Sequence, residues 1–487
     1  MPPRKKTVAK KKPVNQKKVV KPAAKKIKKK PIKVIKNKVP QKVEKKDEVK
    51  KVQKSSRKTP VLLRGMKDLL PKKSPYWRGM RFTAENLVDA YEYKFVETPV
   101  LEQASLFTRS LGRGTDVVEK EMYVFEDKDG SKICLRPEGT ASICRAYVNH
   151  GLQTLPQPVK MWYWESMFRH DRPQAGRYRE FRQFGCETIG ENSHSPVVDA
   201  ELIVVAYNFL RDLGIESVVK INSIGTPEDR ENYLVELVGY LRSKRSYLSD
   251  YAKKRITKNP LRVLDSKDEQ DQAVIEEAPQ IIDWLSDKSR NFFTQVLEYL
   301  DEAKVPYVLT PTLVRGLDYY TDTVFEIYAE DEEEGAQSAL GGGGRYNGLI
   351  EFLGGQPTPA CGFAIGLERV ANLLYKRDEE EKRKGEQKEE KRGGVFFAQL
   401  GEQARKRALY LIEDLRRNGV TLHHSLAKSA LRNQMEVADK LKVAHTLILG
   451  QKEVQDGTIL VRDMESGIQE IIDQKKLKQK LEKLLEV

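Results

Sequence analysis

Cysteine is scarce in this 487-residue chain: Cys134, Cys144, Cys186 and Cys361 are widely spaced and form no CxxC pair. That spacing argues against a thiolate zinc site and against a disulfide framework, and it suits a reducing cytoplasm. No run of about 18 apolar residues is available to span a bilayer, and the N-terminus lacks the apolar core of a secretory signal. No membrane partner is expected. The glycine run Gly341–Gly344 lacks the GK[ST] ending of a phosphate loop, which removes that reading. No internal repeat is present.

Positive charge is plentiful but unevenly placed. The first 60 residues hold 25 Lys or Arg against the three acids Glu44, Asp47 and Glu48, a local +22 that leaves −6 for the rest of a chain whose total is +16. The remaining body is mildly acidic, so the nucleic-acid signature of the total charge belongs to the tail. The tail, residues 1–59, is Lys-rich and broken by Pro3, Pro13, Pro22, Pro31 and Pro40, unlike an Arg- and Ser-rich mitochondrial presequence. With only scattered Val and Ile it cannot bury enough apolar surface to offset its ordering entropy, and disorder is expected. It is either a solvated arm or a polycation that concentrates RNA through salt-sensitive phosphate contacts.

The length implies two or three domains. From residue 60 to 377 a helical stretch near Tyr76–Tyr91 precedes short segments rich in β-formers, among them Val159–Arg169, Gly176–Glu187 and Thr321–Ala329. Strands joined by short turns predict an α+β fold, an antiparallel sheet with helices packed on it. A charged, helical composition at about 227–303 reads as an inserted subdomain. Residues 378–393 are almost entirely charged and read as a linker, helical at its start. Residues 394–487 then alternate strand and helix: Val395–Leu400, Gln403–Asn418, Val420–Leu422, Ser429–Leu441 and Thr446–Leu449. This predicts a compact C-terminal α/β domain.

The segment from Phe168 to Glu187 carries the densest chemistry. Pro173 and Gly176 mark a turn between two strands. If the second strand runs from Gly176 with period two, Arg177, Arg179, Phe181, Gln183, Gly185 and Glu187 share one face. Such a face is ill-suited to an apolar core, where each charge needs a partner, but it suits a zwitterionic, phosphate-bearing ligand. Arginines hold phosphate oxygens bidentately, Phe181 offers a stacking surface, and Gln183 with Glu187 can hold an ammonium. A solvated, salt-bridged sheet face would show the same spacing.

Phe168–Glu187 resembles motif 2 of class II aminoacyl-tRNA synthetases, in the form found in bacterial-type enzymes specific for histidine. Glu97–Glu102 resembles the motif 1 strand of the dimer interface, and Gly362–Arg369 resembles motif 3, a strand leading into a helix. The similarity covers most of Val61–Ile472. Leu313–Thr321 and Gly342–Leu349 resemble blocks particular to the histidine family.

The resemblance implies a class II catalytic domain followed by an anticodon-binding domain, a homodimer, and the substrates ATP, L-histidine and tRNA(His), with Mg²⁺ and no assigned protein ligand for it. Neutral imidazole needs an acceptor at one edge and a donor at the other. By resemblance these are Glu138, beside Gly139, and Tyr320. Thr140, Gln183 and Glu187 would hold the α-amino group, while Tyr319 and Tyr346 complete the wall. Arg169 and Arg315 would serve the carboxylate and α-phosphate, and Arg177 the distal phosphates. Phe181 and Arg369 would sandwich adenine, whose edge meets Asp171, a position where the family usually has Glu; Asn347 stands where Asp is usual. Gln174 would reach the acceptor end of the tRNA, and Arg432 and Gln434 would face RNA from the C-terminal domain. Arg315 and Tyr320 are five residues apart, so both can face the substrate only with a bulge or turn near Gly316.

Two other classes share parts of this pattern. One is the histidine-sensing regulatory paralogue of the family, which usually lacks the anticodon domain and parts of the arginine set. The other is a basic RNA-binding scaffold, supported by the tail alone.

Overall fold

The computed structural model describes residues 59–112, 115–172, 176–330, 339–383 and 392–485. The chain divides into two units, Met1–Val61 and Leu62–Val487. The first 58 residues, for which disorder was expected, lie outside the described residues, as do 384–391 of the linker.

The second unit contains an eight-stranded sheet whose inner strands are largely buried. Its strands lie in the order Lys94–Phe95, Val159–Phe168, Glu180–Ile189, Ala360–Gly366, Ala339–Arg345, Thr321–Ala329, Ser217–Ser223 and Tyr307–Leu309. The six inner strands pair antiparallel, as expected, and the two short edge strands pair parallel with their neighbours. One face packs Trp162, Phe184, Cys186, Phe325, Phe363 and Ile365 beneath the helices Ser74–Ala90, Pro196–Asp212 and Leu367–Arg383. Pro at the first or second position starts two of these helices, where its missing N–H costs nothing. The other face carries Met161, Tyr163, Met167 and Val324 against the helix Thr140–Asn149.

The expected insertion begins at the helix Pro227–Ser243, whose Thr226 cap closes a reciprocal bond pair with Asp229. It continues through Asp250–Arg255, Pro260–Val263 and Glu269–Glu276. It ends earlier than the composition suggested. The helix Asp287–Glu302 sends Phe293, Val296 and Leu300 into the core of the main sheet, so it covers the sheet and is not part of the insertion. Charge on the outer face of an amphipathic helix does not reveal which body its apolar stripe meets.

The C-terminal residues form a five-stranded sheet in the order His423–His424, Val395–Gln399, His445–Leu449, Thr458–Asp463 and Gln469–Asp473, with the helices Glu402–Arg417 and Leu431–Lys440. The strand expected at Val420–Leu422 falls at His423–His424; Val420 is buried in the core ahead of it. Gln434, expected to face RNA, points inward. It is fully buried, its amide accepting from Gln399 N at 3.0 Å and donating to Gln399 O at 2.7 Å. A buried amide needs both partners, and the neighbouring strand supplies them. Arg432 is exposed and pairs with Glu436 at 3.3 Å.

Candidate active site

A cavity of about 470 Å³ opens over the Phe181–Gln183 part of the hairpin. Its floor is sheet: Phe181, Gln183, Gly341, Gly342, Phe363 and Ala364 all line it. The glycine run is thus a central strand, and one glycine matters to the chemistry. A Cβ on Gly342 would lie 2.4 Å from Phe325 O and 3.0 Å from an Arg315 guanidinium nitrogen, so the bare backbone gives Arg315 room to lie across the sheet.

The period-two face holds from Phe181 to Glu187, where the strand is regular, and fails before it. The strand starts at Glu180, and Arg179 turns away: its N–H donates to Gly65 O at 2.7 Å and its side chain packs on Gly65. Arg177 still reaches the cavity and pairs with Asp171 at 2.9 Å. Gln174 lies outside the described residues.

Four predicted arginines, Arg169, Arg177, Arg315 and Arg369, line the same cavity from three separate segments. Arg369, on the first turn of the motif 3 helix, has its pKa lowered by burial and by the nearby Arg177 and Arg169 charges. Arg169 donates to Pro137 O at 2.8 Å and sits over the Phe181 ring at 5.5 Å. Arg369 donates to Ala339 O and Gly176 O. Carbonyls satisfy donors without cancelling charge, so this wall remains an attractive site for an oligoanion.

Arg315 is paired with Glu326, which also accepts from Tyr328 Oη at 2.5 Å. Burial works against the Arg315 charge, but Glu326 and the neighbouring Tyr320 and Tyr319 outweigh it and keep the side chain protonated. Its Nε is buried without a partner, as is Gln183 Oε1, also on the cavity wall. One is a donor and one an acceptor, so a polar ligand in the cavity could satisfy both. The backbone bends at Gly316–Leu317 and turns at Asp318–Tyr319, which brings Arg315 to 5.8 Å from the Tyr320 ring. The required turn near Gly316 is therefore present.

Glu138 lines the cavity at the N-terminus of the helix Thr140–Asn149, accepting from Thr140 N and Ala141 N at 2.9 Å each. Burial raises its pKa; the Ala141 N–H and the Arg169 charge pull it back down. Gly139 lets this helix end approach the sheet, since a Cβ there would sit 2.7 Å from the Tyr163 ring. Thr140, Tyr319 and Tyr320 also line the cavity.

Two expected contacts are displaced by one layer. Glu187 is fully buried behind Thr140: one oxygen accepts from Thr140 Oγ1 at 2.7 Å and the other from Tyr346 Oη. Neither Glu187 nor Tyr346 lines the cavity; Tyr346 stands behind Tyr319, ring centroids 5.6 Å apart. Burial pushes the Glu187 carboxyl up to about 8, against the lowering effect of the Tyr346 and Thr140 bonds. Strand parity places Glu187 on the correct face but does not give depth.

Several lining residues had no place in the expected set. Glu326 is an acid inside the apolar run Val324–Ala329, a signal available in the sequence. Arg262, Asp265 and Lys267 come from the insertion, and nothing in their local sequence marks them. Nearby, Thr98 of the motif 1 stretch is held by the buried pair Arg136–Glu165, 2.8 Å apart. A second cavity of about 660 Å³ lies on the other side of Tyr319; of the predicted binding residues, only Tyr319 lines it.

Among the described residues no three His, Cys, Asp or Glu side chains are grouped as a metal site. All four cysteines are free and buried. No described helix is long and apolar enough to cross a membrane.

A family model described as histidyl-tRNA synthetase matches residues 65–370, and one described as an anticodon binding domain matches residues 394–484. The histidine–tRNA ligase of Dehalococcoides mccartyi is 44% identical over 411 residues, 84% of this chain and 96% of the relative. That of Halothermothrix orenii is 43% identical over 424 residues, 87% and 99% of the two chains. The crystal structure of apo histidyl-tRNA synthetase from S. aureus matches with a TM-score of 0.70 at 34% identity, covering 87% of this chain and 99% of that one. Both domain models match, and relatives 44% and 43% identical are covered over 96% and 99% of their length, so the chain belongs to the histidyl-tRNA synthetase family.

Proposed function

We propose that this chain is a histidine–tRNA ligase. A carboxylate oxygen of L-histidine attacks the α-phosphorus of ATP, pyrophosphate leaves, and the ribose hydroxyl of the terminal adenosine of tRNA(His) then displaces AMP from the histidyl carbonyl. No enzyme nucleophile is needed. The chain's part is to orient the reactants and to balance charge in the in-line transition state.

The carrying observation is that Arg169, Arg177, Arg315 and Arg369 line one cavity with Glu138 and Tyr320. Arg169 and Arg315 serve the carboxylate and α-phosphate, Arg177 the distal phosphates, and Phe181 with Arg369 the adenine, beside Asp171. Glu138 and Tyr320 take opposite edges of the imidazole. Thr140 and the idle Gln183 Oε1 take the ammonium, with Glu187 orienting Thr140 from behind. Mg²⁺, when bound with ATP, would supply charge neutralisation beside these arginines. The matched C-terminal domain favours the enzyme over the regulatory paralogue, and Arg432 is its candidate RNA contact. The protein works in the cytoplasm as a homodimer.

The test is ATP–pyrophosphate exchange with each of the twenty amino acids. Exchange that depends on histidine alone is expected; exchange with another amino acid, or none, overturns the assignment.

A further inference from the structure

Arg315, Tyr319 and Tyr320, three of the residues proposed to meet histidine and the α-phosphate, stand on a segment, 313–320, with no regular secondary structure of its own. A loop of this kind holds a geometry only through bonds to its surroundings. Three of those bonds come from the insertion and its first helix. Arg262 donates to Gly316 O at 2.7 Å, next to Arg315; Asn259 donates to the Asp318 carboxylate at 3.3 Å; Arg230 donates to Tyr320 O at 2.9 Å. Arg262 is itself braced by Asp265 at 3.2 Å, and its side chain is only 13% exposed. Across the cavity, Arg255 of the same insertion pairs with Asp116 at 2.7 Å. Asp116 and Glu121 both line the cavity, and Glu121 O accepts from His170 N of the motif 2 segment at 2.6 Å.

We infer that the insertion is a positioning part of the activation site, with Arg262 setting the reach of Arg315 and Arg230 that of Tyr320. This rests on the roles given above to Arg315 and Tyr320. The two arginines grip different carbonyls on either side of the turn at Asp318–Tyr319, so their effects divide. Loss of the Gly316 anchor loosens the guanidinium that acts on the transition state. Loss of the Tyr320 anchor loosens the donor that recognises imidazole in the ground state. A residue that served only to hold the insertion together would not separate the two.

The experiment is histidine-dependent pyrophosphate exchange on the full chain. Arg262→Ala is expected to lower kcat by about tenfold or more with the histidine KM changed less than about threefold, and Arg230→Ala to raise the histidine KM by a similar factor with a smaller effect on kcat. Arg262→Gln, which keeps an N–H donor at that position, should recover part of the rate and serves in place of the alanine variant if that fails to fold. Arg262→Ala is then added to Arg315→Lys. If Arg262 acts through Arg315 the second loss is small; if it touches substrate or acts independently the losses multiply, and the inference is overturned. Equal effects of both variants on kcat and KM, or none, also overturn it. Failure of Arg315→Ala to slow exchange would count against the role of Arg315 itself, and is read separately.

Discussion

Arg315 lies within an irregular segment, paired to a single carboxylate and with one donor idle. In the role proposed for it, its charge acts as negative charge builds on the α-phosphate, so Arg315→Ala should lower kcat by on the order of 10²–10³ with a smaller change in histidine affinity. Steady-state exchange kinetics check this, and a loss confined to KM counts against it. Glu187 gives a pH prediction. Its folded-state carboxyl titrates at about 8, raised from an ordinary 4.5, so the folded protein binds this proton more tightly than the unfolded chain. Its contribution is therefore most favourable below about 4.5 and is lost as pH rises through about 8. Glu187→Gln should remove that loss: between pH 5 and 8.5 the wild type should lose on the order of a few kcal/mol more stability than the variant in urea unfolding.

At the scale of elements, the strand Ala339–Arg345 shows why composition misleads. Four consecutive glycines suggest a loop, yet they pair on both sides, with Thr321–Ala329 and Ala360–Gly366. Gly342→Ala places a methyl group against Phe325 O and the Arg315 guanidinium, and should cost about 1–3 kcal/mol and slow exchange together. Melting curves alongside kinetics check both parts; a variant with unchanged activity would show that Arg315 does not need this space. The hairpin was legible as two strands because Phe184 and Cys186 alternate with Phe181, Gln183 and Glu187. Arg179 was misplaced because period two was extended past the point where the ladder begins. Gln434 was misplaced because a polar residue on a helix can serve a neighbouring strand as well as solvent, and helix phase alone does not say which.

For the whole molecule, charge and chemistry are separate. The cavity draws its cations from residues 169–369, in the part of the chain whose net charge is −6, whereas the +22 lies before residue 61. Deleting residues 1–59 should leave exchange within about twofold while reducing any salt-sensitive affinity for RNA. A scaffold would instead lose its function. The proposed homodimer has an independent check. Phe95, Leu101, Val124 and Phe125 are between 44% and 49% exposed around the motif 1 stretch, a costly surface for a monomer. Light scattering should give twice the chain mass, and Leu101→Asp should shift it toward the single chain.

The sequence by itself determined the strand-rich body, the C-terminal α/β unit, the hairpin and the arginines proposed for the chemistry, because periodicity and local motifs are written along the chain. Only the tertiary structure decided which side chains reach the cavity surface and which stand a layer behind, as Thr140 does before Glu187 and Tyr319 before Tyr346. It also decided that Arg262 and Arg230 meet the Arg315–Tyr320 segment from 54 and 90 residues away. Depth and long-range contact arise from how separate elements pack, and neither has a period in the sequence.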